Sequence, residues 1–154
     1  MAVDPLIAHE AVARARERRA DALMRLRADA RRDMDALRSR ADGEPPRLHA
    51  LGRLLALAGA DRAILALHVW IVEQTLFDHA RGMCVRHVAE TARWGGYRLE
   101  RPGDASLGWL LDARTNGARL GAWLMIMLAE TEDPKTGRPL LEPSGPDPYM
   151  GLRG

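Results

Sequence analysis

His79, Cys84 and His87 lie within nine residues of one another, with His68 and Asp78 nearby. These residue types invite two kinds of chemistry. The first is zinc binding, which favours thiolate and imidazole ligands in closely spaced pairs. His-x4-Cys-x2-His is not such a pairing, so no metal is expected and the histidines read as surface or partly buried groups. The second is acid–base or thiol chemistry. His87 and Glu90 stand three apart on a predicted helix and can face each other, whereas Asp78 and His79 are adjacent and cannot. Cys84 has a histidine three residues on, but thiol catalysis also needs a lowered pKa and an oxyanion site, and nothing in the sequence supplies them. There is no Gly-rich phosphate loop and no Gly-x-Ser-x-Gly elbow. The sequence therefore predicts no catalytic residues, no cofactor and no enzyme.

Those residues must be positioned by helices. The 154 residues are 47% hydrophobic and 29% charged, which suits one globular domain able to bury a core. The net charge is +2, and Lys135 is the only lysine among 23 basic residues. Arg suits bidentate phosphate contacts, but with so small a net charge any nucleic-acid footprint must come from local arrangement. With a single cysteine no internal disulfide can form, as in a reducing cytoplasm, and the first residues lack the order of a signal peptide. The apolar stretches Ala63–Val72 and Leu120–Ala129 are about half the roughly 20 residues of a membrane span. The expectation is a cytoplasmic protein without membrane contact.

The periodicity predicts an all-α single domain of about five helices. Residues 8–42 form a long helix with a stripe at Val12, Ala15, Ala22, Leu23, Leu26, Ala30, Met34 and Leu37. Its other faces carry ten Arg against seven acids between Glu10 and Asp42. The stripe is mostly Ala at first, so the early turns are expected to project. Asp42–Pro46 is a break. A short helix over 47–57 leads to a central apolar helix, capped by Asp61 and running to about Ala80. Val85–Arg93 is a short helix, Trp94–Gly103 a loop, and 105–131 a last helix, with a break at Asn116-Gly117 as the competing reading. Gly117 and Gly121 suggest close approach of another helix. Residues 132–154, rich in Pro and Gly, form an extended tail in which Leu140, Leu141 and Tyr149 are apolar anchors. The predicted core is Leu54, Leu55, Ile64, Leu65, Leu67, Val69, Ile71, Leu76, Val88, Leu110, Leu111, Leu120, Leu124 and Leu128. The division is thus 1–42, 43–131 and 132–154.

Between Arg81 and Arg101 there are five Arg and two Glu. Gly82-Met83-Cys84-Val85-Arg86-His87-Val88-Ala89-Glu90 resembles the opening of helix-turn-helix regulators, including the sigma-factor region that reads the promoter −35 element. The last helix is similar in tone to the closing helix of small prophage and gene-transfer-agent regulators. The resemblance covers about residues 82–128. It departs from the pattern in a turn that is too long and a last helix that is too long and too apolar. It implies a transcription regulator that binds duplex DNA, leans on RNA polymerase, or both, with Arg81, Arg86, Arg93, Arg98, Arg101 and Arg114 at the DNA. The alternative is a non-enzymatic phage-type adaptor, scaffold or homo-oligomer. It would dock partners through Leu23, Leu26, Met34, Leu37, Gly117, Gly121 and the tail anchors.

Overall fold

The computed structural model describes residues 5–39, 46–132 and 137–141, with side chains described for 6–32, 48–132 and 137–141. Among these residues there are seven α-helices and no strand: α1 (Pro5–Ser39), α2 (Pro46–Ala60), α3 (Arg62–Leu65), α4 (Val69–Phe77), α5 (Arg81–Trp94), α6 (Leu107–Leu110) and α7 (Ala118–Glu130).

The long first helix forms as predicted, and it divides into two parts. From Ala22 onward its stripe is covered: Ala22, Leu26 and Ala30 are buried in a core that includes Ala50, Leu51, Leu54 and Ala58 of α2. Small side chains on both helices let the backbones approach closely. Arg18 reaches Asp61 at 3.2 Å, and Arg53 reaches Asp29 at 3.1 Å, tying the rim of this contact. Before Arg18 the stripe is largely exposed among the described residues: Leu6, Ile7 and Val12 are 73%, 58% and 50% exposed, and Ala15 is half-buried. Leu26, expected to face a partner, is instead buried, and Leu23 packs against the same core. The reason is α2, whose apolar face packs chiefly against this part of α1. The side chains of Met34 and Leu37, and all of Tyr149, lie outside the described residues.

The central apolar segment is not one helix. Asp61 caps α3 by accepting from the Ala63 amide at 2.8 Å, but the chain straightens at Leu67–Val69 before α4 begins. There the backbone pairs with a distant segment: Val69 N donates to Ala105 O (2.9 Å) and Leu107 N to Leu67 O (2.8 Å). The last helix is likewise divided, into α6, a 3-10 turn at Ala113–Thr115 and α7, because Asn116 (φ 47°) and Gly117 (φ 78°) both adopt the left-handed conformation. The break predicted as the alternative at these two residues is therefore present. A Cβ built on Gly117 or Gly121 would meet nothing within 4 Å, so neither glycine serves a close helix approach within the fold. Gly117 is there for its positive φ, just ahead of α7.

Of the predicted core, Leu54, Ile64, Leu67, Val69, Leu76, Val88 and Leu110 are buried; Leu55, Leu65, Ile71, Leu111, Leu120, Leu124 and Leu128 are half-buried around them. The largest fully buried side chain is Trp123, joined by Leu107 and Met127. After α7 the chain returns on itself: Leu140 N donates to Thr131 O (2.8 Å) and Leu141 N to Leu128 O (3.2 Å), and Leu140 packs on the core. Two of the predicted tail anchors thus serve to cover the end of α7.

Candidate functional site: a buried Glu–His–His cluster and an arginine-rich helix exit

Three fully buried residues of the core are polar or charged: Glu73, on α4, and His87 and Thr91, on α5. Each has a local reason to sit inside. On α5 the buried positions are Cys84, His87, Val88, Thr91 and Ala92, the spacing of one helix face. Thr91 returns its hydroxyl hydrogen to His87 O at 2.8 Å. On α4, Glu73 shares its face with Val69, Val72, Leu76 and Phe77. At the end of α4, Asp78 takes a left-handed conformation (φ 59°) and turns the chain, so that His79 comes back toward Glu73. Gln74 Nε2 (3.4 Å) and Cys84 Sγ (3.7 Å) both donate to His79 O and hold that turn.

The side chains meet at Glu73. Its Oε1 accepts from His87 Nδ1 at 2.6 Å and from His79 Nδ1 at 2.8 Å, and its Oε2 accepts from Trp123 Nε1 at 3.1 Å. α7 closes the other side. Thr131 Oγ1 lies 3.2 Å from His79 Nε2 and 2.7 Å from Met127 O. Glu130 Oε2 lies 3.2 Å from His87 Nε2, too poorly aligned for a hydrogen bond yet close enough for a charge contact, and Glu130 also pairs with Arg86. One ligand atom from each of Glu73, His79 and His87 falls within 4.8 Å of the others, so this trio can hold a cation.

Burial is the largest influence on Glu73 and opposes its ionisation. The hydrogen bonds from His87, His79 and Trp123 and the charge of His87 outweigh it and hold the carboxyl below its ordinary value. His87 shows the mirror image: burial works against its charge, and Glu73 and then Glu130 overcome it, so its pKa is raised. Burial, reinforced by the Glu73 charge, pushes the Cys84 thiol up to about 12. A thiol so placed is a small buried apolar group and a poor nucleophile.

The predicted histidine assignments change accordingly. His87 is fully buried and its partners are Glu73 and Glu130; Glu90 is not among them. His79, its side chain 11% exposed, is partly buried, within what was expected of it. Cys84 lies inside α5, which starts at Arg81 after an Ala80 cap, four residues ahead of the expected start at Val85. Glu73, Trp123, Glu130 and Thr131 were missed by sequence reasoning. The available signal was Glu73 itself, the only acid between Asp61 and Asp78 in an otherwise apolar segment.

The six predicted DNA-contacting arginines separate into two groups. Arg81 stacks over Trp70 at 4.6 Å, Arg86 pairs with Glu130, and Arg114 clamps Asp112 through Nε and Nη2. Arg93, Arg98 and Arg101 are exposed on the end of α5 and the loop after it, and no ion pair engages them among the described residues. Trp94, beside Arg93, is 51% exposed. The loop is pinned at Tyr97, whose hydroxyl accepts from Trp109 Nε1 at 3.1 Å while the Arg119 guanidinium lies over both rings. After α5 there follow this loop, a 3-10 turn at Pro102–Asp104 and the single turn of α6, whose Leu107 and Leu110 are buried. The continuous 105–131 helix expected to present Arg114 is not formed. No protein-family model, curated protein or solved structure matches the chain.

Proposed function

We propose that this protein is a nucleic-acid-associated regulator that meets duplex DNA through the exit of α5. The observation that carries the reading is the set Arg93, Arg98 and Arg101, exposed on the last turn of α5 and the loop after it and without acidic partners among the described residues. Guanidinium groups left free in this way can bind phosphate oxygens in bidentate fashion, and the exposed indole of Trp94, next to Arg93 in the chain, adds apolar contact area. Arg81, Arg86 and Arg114 are engaged within the fold and are not needed for the reading.

Neutralising phosphates releases counterions, so affinity falls with salt at a slope of about −0.9 per phosphate contacted. Replacing Arg93, Arg98 and Arg101 together by Ala is expected to weaken duplex binding uniformly across sequences. The same change should reduce the salt slope by about 3 in fluorescence-anisotropy titrations. An unchanged slope, or no binding by the unaltered chain at low salt, would remove this reading.

A second reading rests on the first turns of α1, where Ile7 and Val12 stand exposed among the described residues. In it the chain is a helical adaptor that self-associates along α1. Ile7→Asp with Val12→Asp is then expected to lower the mass measured by light scattering, with the unfolding midpoint unchanged. A monomer at every concentration before the change would end it.

A further inference from the structure

Two imidazole Nδ1 atoms converge on one oxygen of a fully buried carboxylate: His87 Nδ1 lies 2.6 Å and His79 Nδ1 2.8 Å from Glu73 Oε1. His79 Nε2 lies 3.2 Å from Thr131 Oγ1, and His87 Nε2 lies 3.2 Å from Glu130 Oε2 in a charge contact that is no hydrogen bond. A ring nitrogen that gives up its hydrogen presents a lone pair, so the two Nδ1 atoms and Oε1 can serve together as ligand atoms.

One divalent ion among the three atoms would replace the two Nδ1 hydrogens and engage both rings, whose centroids lie 5.8 Å apart, together with the carboxylate. We infer that Glu73, His79 and His87 form a binding site for one divalent transition cation of the zinc class, ligated through Oε1 and the two Nδ1 atoms. Two imidazoles and a carboxylate suit such ions, whereas Mg²⁺ and Ca²⁺ prefer all-oxygen sites. The surroundings hold the outer oxygens that ligating histidines use: once Nδ1 binds the ion each Nε2 carries the ring hydrogen, with Thr131 Oγ1 3.2 Å from that of His79 and Glu130 Oε2 3.2 Å from that of His87. Trp123 fixes the other oxygen of Glu73. Around a tetrahedral zinc with bonds of about 2.0–2.2 Å, ligand atoms lie about 3.3 Å apart. The trio thus opens by only about half an ångström, and the partly exposed edge of His79 is the path in. This site shares no residue with the α5 exit and stands independently of the DNA reading.

The test uses the full untagged chain, stripped with a chelator and titrated with Zn²⁺ against a chromophoric competitor. One equivalent is expected to bind, and to stay bound in millimolar Mg²⁺. His79→Ala should abolish tight binding. Thr131→Val, which leaves all three ligands in place but removes the acceptor for His79 Nε2, should weaken it by about 10–100-fold. His9→Ala should change nothing. Because substitutions in the core can unfold a chain, ring-¹⁵N spectra of the unaltered protein give a second readout. Zn²⁺ should shift Nδ1 of His79 and His87 while both Nε2 atoms keep their hydrogens. No binding at micromolar Zn²⁺, equal affinity in the His79 and Thr131 variants, or bound Zn²⁺ with unmoved Nδ1 signals would each overturn the assignment.

Discussion

Glu73→Ala is expected to cost about 3–5 kcal/mol in urea unfolding, a large part of the roughly 5–15 kcal/mol that holds a domain of this size together. The carboxylate accepts three hydrogen bonds inside the core, and its removal leaves His79 Nδ1, His87 Nδ1 and Trp123 Nε1 without a partner at once. Each orphaned donor carries its own desolvation penalty, and His87 loses the nearer of its two negative neighbours. Glu73→Gln separates charge from shape. Its amide oxygen can still accept from both histidines, but its NH₂ then faces the Trp123 N–H, donor against donor. About 1–3 kcal/mol is expected for this change. If Glu73→Ala cost less than about 1 kcal/mol, the cluster would not be a structural part of the core.

Leu107→Ala should cost about 2–5 kcal/mol, toward the upper end of that range. The side chain is fully buried, and its own amide is tied to Leu67 O, so the site cannot collapse to refill the space. Leu6→Ala provides the control on the same chemistry: the residue is exposed on the uncovered part of α1, and the change should stay within about 0.5 kcal/mol. Equal effects at the two positions, measured by urea unfolding at a common m-value, would contradict the packing described for both.

The difference between these two leucines shows which parts of the fold are legible in the sequence. Local periodicity is enough to predict α1 and the thinness of its first turns, because a stripe of Ala with few large neighbours has little to bury. The residue types also mark Asp61 as a cap, and it accepts from the helix it precedes. What periodicity misses is pairing across long sequence distances. Leu67–Val69 has helix-like neighbours on both sides, but its backbone bonds go to Ala105 and Leu107, so the expected central helix is interrupted where no local signal marks it. The site divides in the same way. His79 and His87 are visible as residue types, whereas their common partner depends on a turn at Asp78 and on how α7 lies against α5. Trp123, Glu130 and Thr131 reach the cluster only through that packing.

The return of the chain after α7 can also be considered as a problem in polymer closure. The ring from Thr131 to Leu140 is ten residues long, and the entropy lost in closing a loop grows only with the logarithm of its length. Among the described residues it is held by the backbone hydrogen bonds of Leu140 and Leu141 and by these two half-buried leucines, against the packed core around the segment at Leu107. Opening is therefore a local event, far less costly than unfolding, and it bares the Thr131 carbonyl beside the ring that Thr131 orients. That closure adjoins His79 and, through it, the buried carboxylate of Glu73, so its opening is the step by which water would reach them.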